Sequence, residues 1–222
     1  MIRLENLSKS FMTPRGRKTV IDRASLTFPG GVSVALLARN GAGKSTLMGM
    51  IGGTIQPTKG RVVSQGSVSW PVGFSGSFHQ DLTGVQNVRF VARVYGVDTE
   101  ELVAFVEDFA ELGGHFYSPV RTYSSGMKSR LAFGVSIGVP FDTYLVDEVT
   151  SVGDANFRRK SRVIFLERMK SAGAIVVTHS MAQVRKLCTA GVVLENGHLD
   201  YFEDIEEAIA QHQRNMGSAE EE

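Results

Sequence analysis

The chain has 222 residues, 42% of them hydrophobic and 21% charged, and a formal net charge of +1. That is the make-up of a water-soluble globular protein with room for one sizeable core, and the near-zero balance gives no overall attraction to nucleic acid or anionic lipid. A single cysteine, Cys188, excludes an internal disulfide framework, and the expectation for it is a small buried apolar side chain. Met1 leads into a strand-like stretch rather than an apolar signal core, and no run approaches the ~18 apolar residues of a membrane span. The expectation is therefore a cytoplasmic chain, joined to a membrane at most through a partner.

Taken in order, Ile2, Leu4 and Leu7 between polar residues predict a half-buried strand. Residues 13–16 (T-P-R-G) predict a turn, and Ala24, Leu26 and Phe28 a second strand antiparallel to the first. Phe11 falls in this region; periodicity favours a core aromatic over a stacking surface for a base. An apolar run at 32–37 then meets residues 38–46, A-R-N-G-A-G-K-S-T, and a helix over 46–51.

Strand, glycine-rich turn and helix is the setting in which this pattern cradles a nucleotide's phosphates. Gly41 and Gly43 let the backbone curl until successive N–H groups point inward. Lys44 can reach the β- and γ-phosphates as a point charge. The Ser45 hydroxyl suits Mg²⁺, and the helix start adds its positive dipole end. Ala38 stands where the motif usually has its first glycine, so a strained turn and weaker or slower binding are expected if that position requires φ > 0.

Breaks at 52–53 and 57–60 lead to short strands at 61–63 and 67–70, and residues 71–80 read as a loop. Thr83 predicts an N-cap for a helix carrying Val85, Val88, Val91, Ala92 and Tyr95. Thr99 predicts another cap, with Glu100 and Glu101 in the first turn and a stripe of Leu102, Phe105, Val106, Phe109 and Leu112. Residues 123–128 (Y-S-S-G-M-K) open a helix that Pro140 stops. The strand at 142–148 ends in Asp147 and Glu148. A helix at 157–169 follows, then a buried strand at 174–178 that ends at His179. A helix at 181–187, a hairpin around Asn196-Gly197 and a helix from about 205 to 212 complete the chain, and the acidic tail 218–222 reads as disordered.

Strands alternating with helices predict an α/β fold with a mostly parallel sheet, whose ligands sit at the carboxyl ends of the strands. Three chemical signals fall at that edge: the 38–46 turn, Asp147-Glu148 and His179. Asp147 is placed to hold Mg²⁺, Glu148 to orient and polarise an attacking water, and His179 to hydrogen-bond the γ-phosphate. The five histidines lack metal-site spacing.

On these residues the chain resembles the ATP-binding subunits of ABC transporters over nearly its whole length. Residues 38–46 resemble the Walker A segment and 143–148 Walker B with its glutamate. His179 matches the switch histidine, and 151–154 (S-V-G-D) the D-loop. Residues 123–127 stand where the family signature L-S-G-G-Q lies. The segments 68–74, 84–95, 123–131 and 146–155 are similar to the ATPase of Gram-negative capsular polysaccharide exporters, with O-antigen and teichoic acid exporters close behind.

The resemblance implies a P-loop NTPase core with an antiparallel β subdomain and a helical subdomain at about 82–133, within one nucleotide-binding domain over 1–222. It implies that Phe11 stacks on adenine, against the periodicity reading. It implies an ATP site made by Arg39, Asn40, Gly41, Ala42, Gly43, Lys44, Ser45 and Thr46, with Ser124, Ser125, Gly126 and Asp154 presented across a head-to-tail dimer of two copies. Lys44, Glu148 and His179 are the implied catalytic residues. Mg²⁺ ligands would come from Ser45, Asp147 and a sensor position at His79 or Gln80. The implied partners are a second copy and an integral membrane permease at the cytoplasmic face of the inner membrane, with neither nucleic acid nor the polysaccharide touched. A soluble ATPase acting on nucleic acid is the contrasting expectation. The cluster Arg158, Arg159, Lys160 and Arg162 is the feature it would use, and a solvated helix face is the plainer reading of that cluster. A regulatory module that binds nucleotide with little turnover is a further alternative.

Overall fold

The computed structural model describes residues 1–14, 16–73, 76, 78–147 and 154–217. The strands are β1 (Ile2–Thr13), β2 (Gly16–Phe28), β3 (Ser33–Ala38), β4 (Lys59–Ser64), β5 (Val68–Pro71), β6 (Thr143–Asp147), β7 (Gly173–Val177), β8 (Ala190–Glu195) and β9 (His198–Phe202). The helices are α1 (Lys44–Ile51), α2 (Gly84–Tyr95), α3 (Thr99–Ala110), α4 (Ser125–Gly138), α5 (Ala155–Ser171), α6 (Met181–Leu187) and α7 (Ile205–Gly217). The chain divides into two compact units. The first holds Met1–Ser69, Phe141–Glu148 and Ser171–Glu222, and the second holds Trp70–Pro140 and Val149–Lys170.

In the first unit a six-stranded sheet runs β5-β6-β7-β3-β8-β9. β3 pairs in parallel with both β7 and β8, and β6 in parallel with β7, while β9 returns antiparallel. The middle stretches of the parallel strands are apolar and buried because both faces are covered. Val34, Leu36, Leu145, Ile175, Val192 and Leu194 are buried in one core with Leu47 and Met48 of α1. A three-stranded antiparallel sheet, β2-β1-β4, supplies Ile2, Leu4, Leu7 and Ile21 to the same core. The β8–β9 turn is made by Asn196 at φ +49° and Gly197 at φ +83°, the pair of positive φ values that an Asn-Gly hairpin requires.

β1 runs further than the alternation of Ile2, Leu4 and Leu7 implies, and it carries Phe11 out of the core. Its pairing with β2 shifts register between Leu4 and Leu7, between Leu7 and Lys9, and between Lys9 and Ser10. Only the first of these puts its extra residue in β1; the other two put theirs in β2. Phe11 pairs with Lys18 at the outer end of this hairpin, past the last buried residue of β1, and is 40% exposed, with the Lys9 ammonium 4.9 Å from its ring centre. The periodicity reading of a core aromatic is wrong for that reason.

The second unit is helical around Phe109, which stacks on Phe105 and Phe133 and meets Phe157 edge-on. Thr83 caps α2 as predicted. Its hydroxyl accepts from Gln86 N while the Gln86 side chain accepts from Thr83 N, a closed capping box. α3 is capped by Asp98 rather than Thr99: Asp98 Oδ1 accepts from Glu101 N at 2.8 Å. A carboxylate one residue earlier serves the same orphan amide and adds negative charge at the positive helix end. Leu112, assigned to the α3 stripe, lies beyond that helix at the start of a 3-10 turn.

Candidate functional site

β3 delivers the chain to the carboxyl edge of the sheet, where Ala38 lies opposite Leu194. The turn that follows uses two left-handed glycines, Gly41 at φ +75° and Gly43 at φ +119°. Ala42 N bonds back to Arg39 O at 3.2 Å, and Leu47 N to Gly43 O at 2.9 Å, which starts α1 immediately. The first turn of a helix leaves its N–H groups without intrahelical acceptors. Gly43 is required for a second reason: a Cβ there would lie 2.2 Å from Val20 Cγ1. Val20, from β2, thus presses on the loop from the antiparallel sheet. Nothing local in the sequence marks it, because the contact is tertiary.

Ala38 does not strain the turn. It is the last residue of β3, in extended pairing, and it is absent from the described residues with positive φ. The position needs no left-handed backbone, so a methyl group fits there without strain.

Lys44 Nζ donates to Ala38 O at 2.9 Å and to Arg39 O at 3.2 Å, folding the ammonium back over the loop it follows. Asn40, Gly41, Gly43, Lys44, Ser45, Thr46, Asp147, Val177 and His179 line a cleft of about 440 Å³. Three separate chain segments meet there. β6 and β7 are in register with Asp147 opposite Val177, and His179 follows two residues later. Arg39 and Ala42 belong to the loop without lining the cleft; Ala42 packs on the core beneath. Burial and then the Lys44 charge hold the His212 imidazole under its ordinary pKa.

The cleft offers main-chain amides, one ammonium and one imidazole to an anion, and hard oxygens to a cation. Ser45 and Asp147 fit Mg²⁺, which takes one or two protein oxygens and fills its remaining positions with phosphate and water. No cluster of three His, Cys, Asp or Glu is present among the described residues. Glu148 and the 151–153 part of the D-loop lie outside the described residues.

The remaining predicted residues belong to the second unit. Ser124 caps α4, its hydroxyl accepting from Met127 N at 3.2 Å, with Ser125 and Gly126 in the first turn. A Cβ on Gly126 would meet only Ser124 Oγ, at 3.9 Å, so that helix end is open. Asp154 accepts from Phe157 N and Asn156 N and from Arg130 Nη2; these donors, led by the Phe157 amide, keep its carboxyl below the usual range. His79 and Gln80 are both exposed. His79 Nδ1 accepts from Asp81 N at 3.3 Å, which leaves Nε2 as the protonated nitrogen of the neutral ring. Of the basic cluster, Arg158, Arg159 and Arg162 are exposed, whereas Lys160 bonds Asp108 O and Glu111 Oε1 and covers the Phe109 ring. That lysine is structural.

The ABC transporter family model matches residues 21–151, more than half of the chain and all of the loop. The chain belongs to the ABC transporter family. Its relatives include the polysialic acid transport ATP-binding protein KpsT of Escherichia coli, 47% identical, with 94% of this chain and 95% of the relative covered. The capsule polysaccharide export ATP-binding protein CtrD of Neisseria meningitidis serogroup B is 45% identical, with 94% and 96% covered. The O-antigen export ATP-binding protein RfbB of Klebsiella pneumoniae is 37% identical, with 94% and 87% covered. Among solved structures, the ATP-binding cassette MJ0796, a dimer bound to ADP and Pi, superposes with a TM-score of 0.75 at 19% identity. That superposition covers 92% of this chain and 99% of the other, and it establishes the ABC ATPase fold. The expected α/β P-loop core with an antiparallel sheet and a helical part is thus the fold of this ABC chain.

Proposed function

We propose that this chain is the ATP-binding and hydrolysing subunit of an exporter that moves capsular polysaccharide across the inner membrane. The observation that carries the reading is the convergence of the loop, Asp147 and His179 on one cleft, in a chain 45 to 47% identical to KpsT and CtrD over 94% of its length. Capsule export is favoured over O-antigen export because RfbB stands lower, at 37%.

In this reading ATP is the substrate, its triphosphate wrapped by the 40–46 amides with Lys44 on the β- and γ-phosphates. Ser45 and Asp147 hold Mg²⁺, with His79 or Gln80 as the further sensor. The metal supplies neutralising charge to the phosphates. Glu148 orients a water for in-line attack and accepts its proton, and His179 donates to the γ-phosphate oxygens. Phe11, exposed on β1, stacks on the adenine. Two copies pack head to tail, and Ser124, Ser125, Gly126 and Asp154 of one copy complete the site of the other. Closure on ATP and reopening after hydrolysis is then a ligand-biased change between two states. No described helix is long and apolar enough to cross a membrane, which fits attachment to the cytoplasmic face through an integral permease. The polysaccharide itself does not touch the chain.

Detergent extraction of the tagged chain from its native membranes tests this directly. The expected result is a multi-spanning membrane protein in stoichiometric amount, together with ATP hydrolysis. A chain that comes down alone and binds DNA or RNA in a salt-sensitive way would overturn it.

A further inference from the structure

Ser136 is a fully buried hydroxyl in the last turns of α4, between Val135 and Ile137, which are also fully buried. Its oxygen accepts twice from one stretch of chain: from Trp70 Nε1 at 2.8 Å and from Gly73 N at 3.4 Å. The Trp70 ring also lies 5.1 Å from that of Tyr95, the last residue of α2. The segment that leads from β5 toward His79 is thereby tied to two helices at its start.

Its far end is tied as closely. Asn87, 3% exposed on α2, accepts from His79 N at 2.9 Å and donates to His79 O at 3.1 Å. The same amide donates to Thr83 O at 2.9 Å and Leu82 O at 3.4 Å. One side chain therefore pairs with both main-chain groups of His79, as a neighbouring strand would. A buried polar group with all its partners in place specifies one arrangement and resists others. α4 is meanwhile a continuous helix, ~20 Å long at 1.5 Å per residue, with Ser136 near one end and the Ser124 cap at the other.

We propose that Ser136 and Trp70 are positioning residues of the ATPase: a latch that makes the loop bearing His79 and Gln80 move with α4, and so with Ser124 and Gly126. Asn87 seats the other end of that loop. The inference rests on the proposed role of Ser124 and Gly126 at ATP. Ser136 touches no nucleotide; it sets where α4 stands when the loop shifts.

The test is a double-mutant cycle on the full chain, with ATP turnover as the readout. Ser136→Ala deletes the acceptor, and Trp70→Phe keeps a ring on Tyr95 but deletes the donor. Each should lower kcat by roughly five- to tenfold, the size of one buried hydrogen bond, with the KM for ATP within about twofold. The double variant should be no slower than Ser136→Ala alone, because Trp70→Phe removes a bond that Ser136→Ala has already deleted. Trp70 is the only tryptophan of the chain, so acrylamide quenching of its emission should also increase in Ser136→Ala. Unchanged kcat, multiplicative losses, or a KM that rises in step with the lost kcat would each overturn the latch. If Ser136→Ala fails to fold, Trp70→Phe alone decides by the same split between kcat and KM. A wild-type chain that hydrolyses no ATP would instead remove the proposed function itself.

Discussion

Gly43→Ala is the substitution whose outcome the structure determines most fully. The residue sits at φ +119°, which an L side chain rarely adopts, and holding alanine there costs about 1–3 kcal/mol. The new Cβ would also stand 2.2 Å from Val20 Cγ1, more than 1 Å short of the 3.4 Å at which ordinary contact begins. Val20 is 8% exposed and packed in the core, so it cannot swing away, and overpacking of this kind costs about 1–3 kcal/mol more. Together these approach the total stability of a small domain, ~5–15 kcal/mol, so the loop will open rather than carry the strain. ATP affinity, by titration calorimetry, should then fall at least ~30-fold, the equivalent of about 2 kcal/mol. The double variant Val20→Ala, Gly43→Ala deletes Cγ1 and leaves the backbone cost alone. It should recover part of the thermal stability and part of the affinity. A Gly43→Ala chain that binds ATP within twofold of wild type, with an unchanged Tm, would refute the account of the loop.

Phe11→Ala should weaken ATP binding by roughly 5- to 100-fold, the range for loss of one base–aromatic stack. Because the ring is exposed, Tm should stay put, and competition with GTP or a bare triphosphate would show the loss confined to the base. Burial raises the Cys188 thiol to about 12, so it should resist a thiol reagent at pH 8 until the chain unfolds. Its raised pKa contributes stability present below the unfolded value near ~8.5 and lost as pH climbs toward the folded one, so Cys188→Ala should flatten the alkaline fall in Tm. Asp142 accepts from Ser67 N at 2.7 Å and from Ser67 Oγ at 2.8 Å, and these bonds lower its pKa, the main-chain one most. The stability it contributes is present above the unfolded carboxyl value near ~3.9 and disappears as pH falls through the folded one. Asp142→Asn should therefore lower Tm at neutral pH and shrink the acid-side loss.

The regular elements were legible wherever a local signal decides them. α6 runs from Met181 to Leu187 as its pattern predicts, the Asn196-Gly197 pair makes the hairpin, and Thr83 caps α2. The loop and its two companions at the sheet edge were legible as well, because strand order places Asp147 and His179 beside it. What escaped depends on contacts between distant residues. Phe11 is exposed because the β1–β2 hairpin runs on past its last buried residues, and no window of β1 alone contains that information. Val20 against Gly43, Asn87 around His79 and Ser136 under Trp70 are likewise invisible until the chain folds. α3 is capped by Asp98, one residue before the Thr99 that the sequence pattern named.

The central claim is that the cleft beside Lys44 grips a triphosphate for Glu148 to open, and phosphate release from ATP tests it most directly. Wild type should release phosphate only with Mg²⁺ present, and Glu148→Gln should release it ~10²- to 10⁴-fold more slowly while still binding ATP. Equal release by the two chains, or a wild type that binds no ATP, would contradict it.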